Sequence, residues 1–114
     1  MTFVLKQIPD ITVPVTVQVP GDDEPSTIHA RWRLHPVSKT REIFEQQRDG
    51  KLDDDALVAQ DLLGLEGIKD EKGKDVSFSQ DLVAQLMETP YVRRPLVLSW
   101  YAAQEGRAQA AAKN

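Results

Sequence analysis

The chain has 114 residues, of which 40% are hydrophobic and 28% are charged, a balance typical of a folded globular domain and not of a disordered chain. Its length is enough for one hydrophobic core and too short for two. The formal net charge is −4 and there is no cysteine, which excludes disulfides, thiolate nucleophiles and cysteine-bound zinc or iron–sulfur sites.

The acidic charge is concentrated in the middle of the chain. Residues 42–81 carry twelve acidic and five basic side chains, whereas residues 1–41 and 82–114 each have a small basic excess. Because sequence-independent binding to nucleic acid depends on neutralising phosphates, this balance disfavours it. No apolar run reaches the length of a membrane span, and no signal peptide is visible. We therefore expect a cytoplasmic protein with no membrane partner.

Two segments with strict apolar–polar alternation predict an antiparallel β-hairpin. Thr12–Val19 places valine at every second position, and Thr27–Leu34 alternates in the same way, as half-buried strands do. Pro14 has no backbone N–H to donate, so we expect the first strand to lie at a sheet edge. A hairpin alone is only marginally stable. Its apolar face must therefore be covered by the segments that follow.

The next segments predict two helices and a charged loop. Ser38 is a favourable N-cap for a first helix, which Gly50 would end in a left-handed conformation. Asp53–Asp55 open a second helix that runs to Gly64, and acidic residues at a helix start interact favourably with the helix dipole. The charged, turn-rich segment 65–78 predicts a short hairpin or folded-back loop with a solvated tip.

Two further helices complete the predicted fold. Ser79 can cap the third, and Thr89 followed by Pro90 is typical of the start of the fourth, although we expect Pro95 to delay that start. One stripe of the fourth helix is apolar and consists of Val92, Leu96, Trp100 and Ala103. The sequence thus predicts an α+β fold, with an N-terminal antiparallel β-hairpin packed against about four short helices. Residues 1–106 form one domain, and residues 107–114 form a flexible C-terminal tail.

No residue pattern predicts catalysis, a metal site or a cofactor site. Asp53, Asp54 and Asp55 are consecutive helical residues, so their side chains diverge and cap the helix instead of converging on an ion. Histidine is the side chain that most often acts as a general acid or base, and the chain has two, His29 and His35, yet no nucleophile elbow is present and the sequence places no carboxylate to orient either ring. We therefore expect a protein that is not an enzyme.

One cluster of basic side chains is compatible with several roles. It is the exposed face of the hairpin, a nucleic-acid surface of a small regulator, or half of a head-to-tail contact with the acidic middle of a second copy. The last of these would make the protein self-associate. The cluster consists of Arg31, Arg33, His35, Lys39 and Arg41, to which Arg93 and Arg94 could add.

The order of the motifs resembles that of the tail assembly chaperones of long-tailed phages and prophages. H-A-R-W-R-L (29–34) leads into a capped, charged helix, G-L-E-G-I-K-D-E-K-G-K-D-V-S-F-S (64–79) follows, and Y-V-R-R-P-L-V-L-S-W-Y (91–101) forms the last helix. The resemblance implies a protein that binds the tape measure protein, keeps it soluble and helps recruit tail tube subunits. It also implies absence from the finished particle. The alternative within phage tails is a completion or minor tail protein that stays in the particle.

A chaperone of this kind needs exposed apolar or edge-strand surface for its client. One predicted surface is the edge strand with Pro14, and the other is the face of the last helix around Leu96, Trp100 and Tyr101. Trp100 and Tyr101 are adjacent on a helix and point about 100° apart. Either one of them faces a partner, or Trp100 is in the core and Tyr101 lies at its boundary with a solvated hydroxyl.

Overall fold

Three antiparallel strands form the sheet in the computed structural model, which describes residues 1–106. They are β1 (Asp10–Val17), β2 (Ser26–Arg33) and β3 (Leu62–Glu66), arranged in the order β1-β2-β3. The predicted hairpin is confirmed, and its register pairs Val13 with Ala30. The predicted flexible tail, 107–114, lies outside the described residues.

Four helices in the described part of the chain accompany this sheet, which confirms the predicted α+β class. They are α1 (Val37–Arg48), α2 (Asp54–Asp61), α3 (Gln80–Met87) and α4 (Pro90–Gln104). α4 begins at Pro90 and continues through Pro95, so the expected delay of its start is wrong. Pro95 removes one N–H from the helix, but Val92 and Leu96 on either side of it are buried. Their packing holds the helix together through the proline.

The core lies between the sheet and α4. Alternate residues of β1 and β2 are buried as predicted, from Val13 to Val17 and from Ile28 to Trp32, and the stripe of α4 that includes Leu96 packs on them. Helices α1, α2 and α3 complete the core with Ile43, Leu57, Val58, Leu82, Val83 and Met87.

The third strand corrects the predicted second helix, which ends at Asp61 instead of Gly64. Leu62 pairs with Trp32 and Leu65 with Ala30, and a register shift between Arg31 and Trp32 accommodates the odd spacing of the two leucines. Both leucines are buried on the inner face of the sheet. A bulge of this kind breaks the two-residue period of a strand, whereas Leu62 and Leu63 continue the apolar spacing of Leu57 and Val58, so the segment was predicted to be helical.

The predicted helix ends are mostly confirmed. Ser79 Oγ accepts from the Leu82 N–H at 3.1 Å and Asp53 Oδ1 accepts from the Ala56 N–H at 2.8 Å, while Gly50 has a φ of 74° after α1. Ser38 is not the N-cap of α1, because the helix starts one residue earlier and Pro36 occupies the N-cap position. The Pro36 carbonyl accepts bonds from the first turn of α1.

β1 lies at an edge of the sheet in the described residues, as was predicted from Pro14. The Leu34 N–H donates to the Pro9 carbonyl at 2.9 Å, so this pair is hydrogen-bonded and every second pair after it is too. Pro14 is opposite His29 and belongs to the pairs in between, which are not hydrogen-bonded. At these positions the backbone N–H of a β1 residue points away from β2. The missing donor of Pro14 therefore lies in the middle of the open edge and disfavours the addition of another strand there.

We predict that Gly67→Ala destabilises the fold more than Gly73→Ala. Both glycines have a positive φ, at 88° and 82°, so both substitutions cost about 1 kcal/mol in backbone strain. A Cβ on Gly67 would lie 3.2 Å from the Thr27 carbonyl oxygen, whereas nothing lies within 4 Å at Gly73. We expect roughly 1 kcal/mol of additional loss at Gly67, measured by urea unfolding. Equal losses would contradict the close approach to β2.

Candidate protein-binding surface

Two of the residues predicted to bind a partner lie inside the core. Leu96 and Trp100 are both 0% exposed, so the prediction that they form part of a surface is wrong. Their stripe of α4 is the one that packs against the sheet. Tyr101 is half-buried, and its hydroxyl donates to Gln47 Oε1 at 3.1 Å, so it lies at the boundary of the core.

Trp100 is fixed by a buried carboxylate. Its Nε1 donates to Asp61 Oδ2 at 2.8 Å, and His35 Nε2 lies 2.8 Å from the same oxygen. Asp61 is fully buried, and the Arg33 Nε lies 3.9 Å from its other oxygen. The expectation that no carboxylate orients His35 is therefore wrong, because the end of α2 places one against it.

The Asp61 contacts join three parts of the chain. They connect the residues after β2, the last residue of α2 and the middle of α4. The side chain of Gln104 adds to this joint, since it accepts from the His35 N–H at 3.0 Å and donates to the Arg33 carbonyl at 2.7 Å. The arrangement holds α4 in place beside the end of β2.

The second tryptophan has a polar partner of a similar kind. Trp32 Nε1 donates to Ser99 Oγ at 2.8 Å, and that hydroxyl donates to the Leu96 carbonyl at 2.6 Å. Both buried indoles are therefore hydrogen-bonded, as buried N–H groups require. The position of α4 on the sheet is thus fixed by directional bonds as well as by apolar packing.

The opposite side of α4 presents an apolar stripe to solvent. We call Tyr91, Leu98 and Tyr101 the α4 stripe; with Arg94, which lies between Tyr91 and Leu98, they follow a spacing of three, four and three residues. Tyr91 is 41% and Leu98 50% exposed. Residues at this spacing share one helix face, so the stripe follows one side of the helix and is interrupted by the exposed Arg94.

A groove between α1 and α4 adjoins the stripe. Its cavity volume is about 290 Å³, and we call it the α1–α4 groove; its lining residues are His35, Val37, Thr40, Phe44, Trp100, Tyr101, Gln104 and Glu105. The ring of Phe44 stacks on Tyr101, with centroids 6.0 Å apart and planes 5° apart. Val37 is 65% exposed at the groove. The ring of Phe44 is held in place, because it also packs edge-on against buried Trp100, with ring centroids 6.2 Å apart.

The three consecutive aspartates have three different partners. Asp53 caps α2, Asp54 Oδ1 accepts from Gln47 Nε2 at 3.2 Å, and Asp55 accepts two bonds from Arg93 at 2.9 and 3.1 Å. The hydrogen bond from Arg93 lowers the pKa of Asp55 from its usual value of 3.8. Within residues 1–106, no group of three or more metal-ligating side chains converges.

The predicted basic cluster is divided between the sheet and α1. Arg31 and Arg33 project from the outer face of β2, where Arg31 Nη2 donates to the Leu63 carbonyl at 3.4 Å. Lys39 and Arg41 are on α1, and Lys39 Nζ lies 3.7 Å from a Glu42 carboxylate oxygen. Part of the positive charge is thus balanced locally.

Of the α4 stripe, only Tyr101 was predicted from the sequence to contact a partner; Tyr91, Leu98 and the α1–α4 groove as a surface were not. Phe44 and Leu98 are apolar residues within amphipathic helices, so their pattern also fits a core position. A usable signal was the second apolar face of α4, since Tyr91, Leu98 and Tyr101 share a helical spacing that is distinct from that of the buried stripe.

No protein family, curated protein or solved structure matches this chain. Among the helices of residues 1–106, none combines the length and the apolar character needed to cross a membrane.

We predict that Asp61→Ala lowers the free energy of unfolding by about 3 kcal/mol or more, because Trp100 and His35 lose their shared buried acceptor. Asp53→Ala, which removes only a helix cap, should cost about 1 kcal/mol. Urea unfolding of both variants makes the comparison. Equal losses would contradict the conclusion that Asp61 holds α2, α4 and the end of β2 together.

A second prediction concerns pH and the Asp55–Arg93 pair. Because the pKa of Asp55 is lowered by Arg93, the pair stabilises the fold above pH 3.8 and loses that effect as the pH falls through the lowered pKa. The pair is exposed, so Asp55→Asn should cost at most about 1 kcal/mol at neutral pH. Urea unfolding at several pH values measures this difference.

The matched control is the same substitution in an Arg93→Gln background. There the difference in stability between the chain with Asp55 and its asparagine variant should have little dependence on pH, because the partner that lowers the pKa is gone. A pH dependence that persists without Arg93 would assign it to another group.

Proposed function

We propose that this protein is a non-catalytic assembly factor that binds a helical partner along the α4 stripe, and that it acts as a phage or prophage tail assembly chaperone. In this proposal it binds the tape measure protein in the host cytoplasm, keeps it soluble and helps recruit tail tube subunits. It then leaves before the tail is finished. The observation that carries the proposal is the exposed apolar stripe on a helix whose other face is locked into the core.

The spacing of the α4 stripe fits a helical client. Steps of three and four residues are those by which one helix packs along another, and the fifteen residues of α4 span about 22 Å. An amphipathic client helix can place its apolar face along this length. Arg94 within the stripe would favour an acidic side chain on the client.

The rigidity of α4 supports a binding role for its outer face. Asp61 holds Trp100 and Ser99 holds Trp32, so the stripe is presented on a helix that cannot easily rotate. A preorganised surface loses less conformational entropy on binding than a mobile one. The identification of the client as the tape measure protein depends on the resemblance of the motifs and not on this geometry.

We predict that Leu98→Glu abolishes client binding without unfolding the protein. Leu98 is half exposed in the middle of the stripe, so a carboxylate there would have to be buried against an apolar client face. The measurement is co-expression with the proposed client, a tape measure protein, followed by a pull-down and a comparison of client solubility. We expect at least a tenfold loss of affinity.

Gln85→Glu is the matched control, because it introduces the same charge at an exposed position of α3 that is not part of the stripe. It should bind the client as well as the unmodified chain. A client that is soluble alone and never co-purifies would contradict the chaperone proposal. Detection of the chain in purified particles would favour a structural tail protein instead.

A further inference from the structure

The first nine residues form an apolar arm that leaves the fold. We call residues 1–9 the N-terminal arm; it contains no helix or strand. Its large apolar side chains are all exposed, with Phe3 at 82% and Leu5 at 87%, and the others are Met1, Val4 and Ile8. Single exposed apolar residues are ordinary on a protein surface, but a contiguous group marks an interaction site.

The arm leaves the fold beside the α1–α4 groove. Its last residue, Pro9, is held by the Leu34 N–H, and the end of the arm lines a depression with Leu34, His35 and Pro36. His35 also lines the α1–α4 groove. The root of the arm and the groove therefore lie next to each other on one side of the molecule.

We propose that the N-terminal arm of each chain docks in the α1–α4 groove of a second copy, so that two chains form a dimer by reciprocal exchange of their arms. An arm and a groove that adjoin on one side of the molecule suit a closed twofold arrangement, in which both contacts form at once. No residue of the arm lines the groove of its own chain, and the apolar side chains of the arm are left exposed.

The area of the two contacts is that of a small, weak dimer interface. The five apolar side chains of one arm present on the order of 400–700 Å². If half of this area were covered, two arms would bury about 400–700 Å² before the surface of the grooves is added, which is the range of weak, transient interfaces. Exchange thus removes from water the apolar surface that the single chain leaves exposed.

The charges of arm and groove complement each other. Lys6 is the only charged side chain of residues 1–9, and among residues 1–106 Glu105 supplies the carboxylate that lines the groove. Opposite charges at the rim of an interface favour encounter and orientation. The open edge of β1 is a poorer receptor, because Pro14 removes a donor from its middle.

The first test is the mass of the protein across a concentration series by sedimentation equilibrium. We expect a monomer–dimer equilibrium whose dissociation constant rises at least tenfold in Leu5→Asp and in Val37→Glu, one on each side of the contact. Thr2→Asp and Leu98→Glu are the matched controls, since they add the same charge to the arm outside its apolar residues and to α4 outside the groove. Both should stay within threefold of the unmodified chain.

The second test shows which groove the arm occupies. Since the chain has no cysteine, a Leu5→Cys chain and a differently tagged Val37→Cys chain can be mixed and oxidised. We expect a disulfide that joins one chain of each kind, and a loss of that product when Phe3→Asp is added to the Leu5→Cys chain.

Three results would overturn the proposal. They are a monomer at every concentration, a dimer that neither Leu5→Asp nor Val37→Glu weakens, and a disulfide that closes within monomers of a Leu5→Cys/Val37→Cys chain. Circular dichroism of each variant checks that it is folded. Neither test contains a client, so its failure is distinct from a failure of the chaperone proposal, which Leu98→Glu examines.

Discussion

The buried carboxylate of Asp61 is the constraint on which the arrangement of the helices depends. Removing a carboxylate from water is costly unless hydrogen bonds replace its hydration, and here Trp100 and His35 both bond to one of its oxygens. These partners belong to different parts of the chain. The bonds can therefore form together only when α2, α4 and the end of β2 have reached their native positions, which makes the joint a source of specificity as well as stability.

The two faces of α4 follow from this constraint. Once Trp100 is turned towards Asp61, the helix can present only one stripe to the sheet, and Tyr91, Leu98 and Tyr101 are left on the opposite side. Tyr101 lies at the boundary between the buried and the exposed face of α4, with its ring stacked on Phe44 and its hydroxyl bonded to Gln47. A rigid helix with a second apolar face suits the binding of a partner, because no reorganisation of the core is needed.

Local patterns were enough to predict the hairpin and most helix ends. The alternation in β1 and β2 and the caps at Asp53 and Ser79 depend on neighbours in sequence, so they can be read from the sequence itself. β3 could not be predicted in this way, because its bulge removes the strand period. The Asp61 joint was also missed, since it requires the side chains of His35 and Trp100, which lie 26 and 39 positions away.

In the proposed complexes the contacts lie on the helical side of the molecule and on the N-terminal arm, where the exposed large apolar side chains of residues 1–106 are found. An open sheet edge is the usual route by which a small β-containing domain associates with other chains. On β1 this route is disfavoured, since Pro14 removes a donor in the middle of the edge. The apolar side chains that remain in water lie mainly on the N-terminal arm, at the α1–α4 groove and along the α4 stripe. In both proposals side chains, and not the backbone hydrogen bonds of a sheet edge, therefore supply the selectivity. The groove and the stripe share only Tyr101, so the proposed second copy and the proposed client would contact largely different residues of one chain.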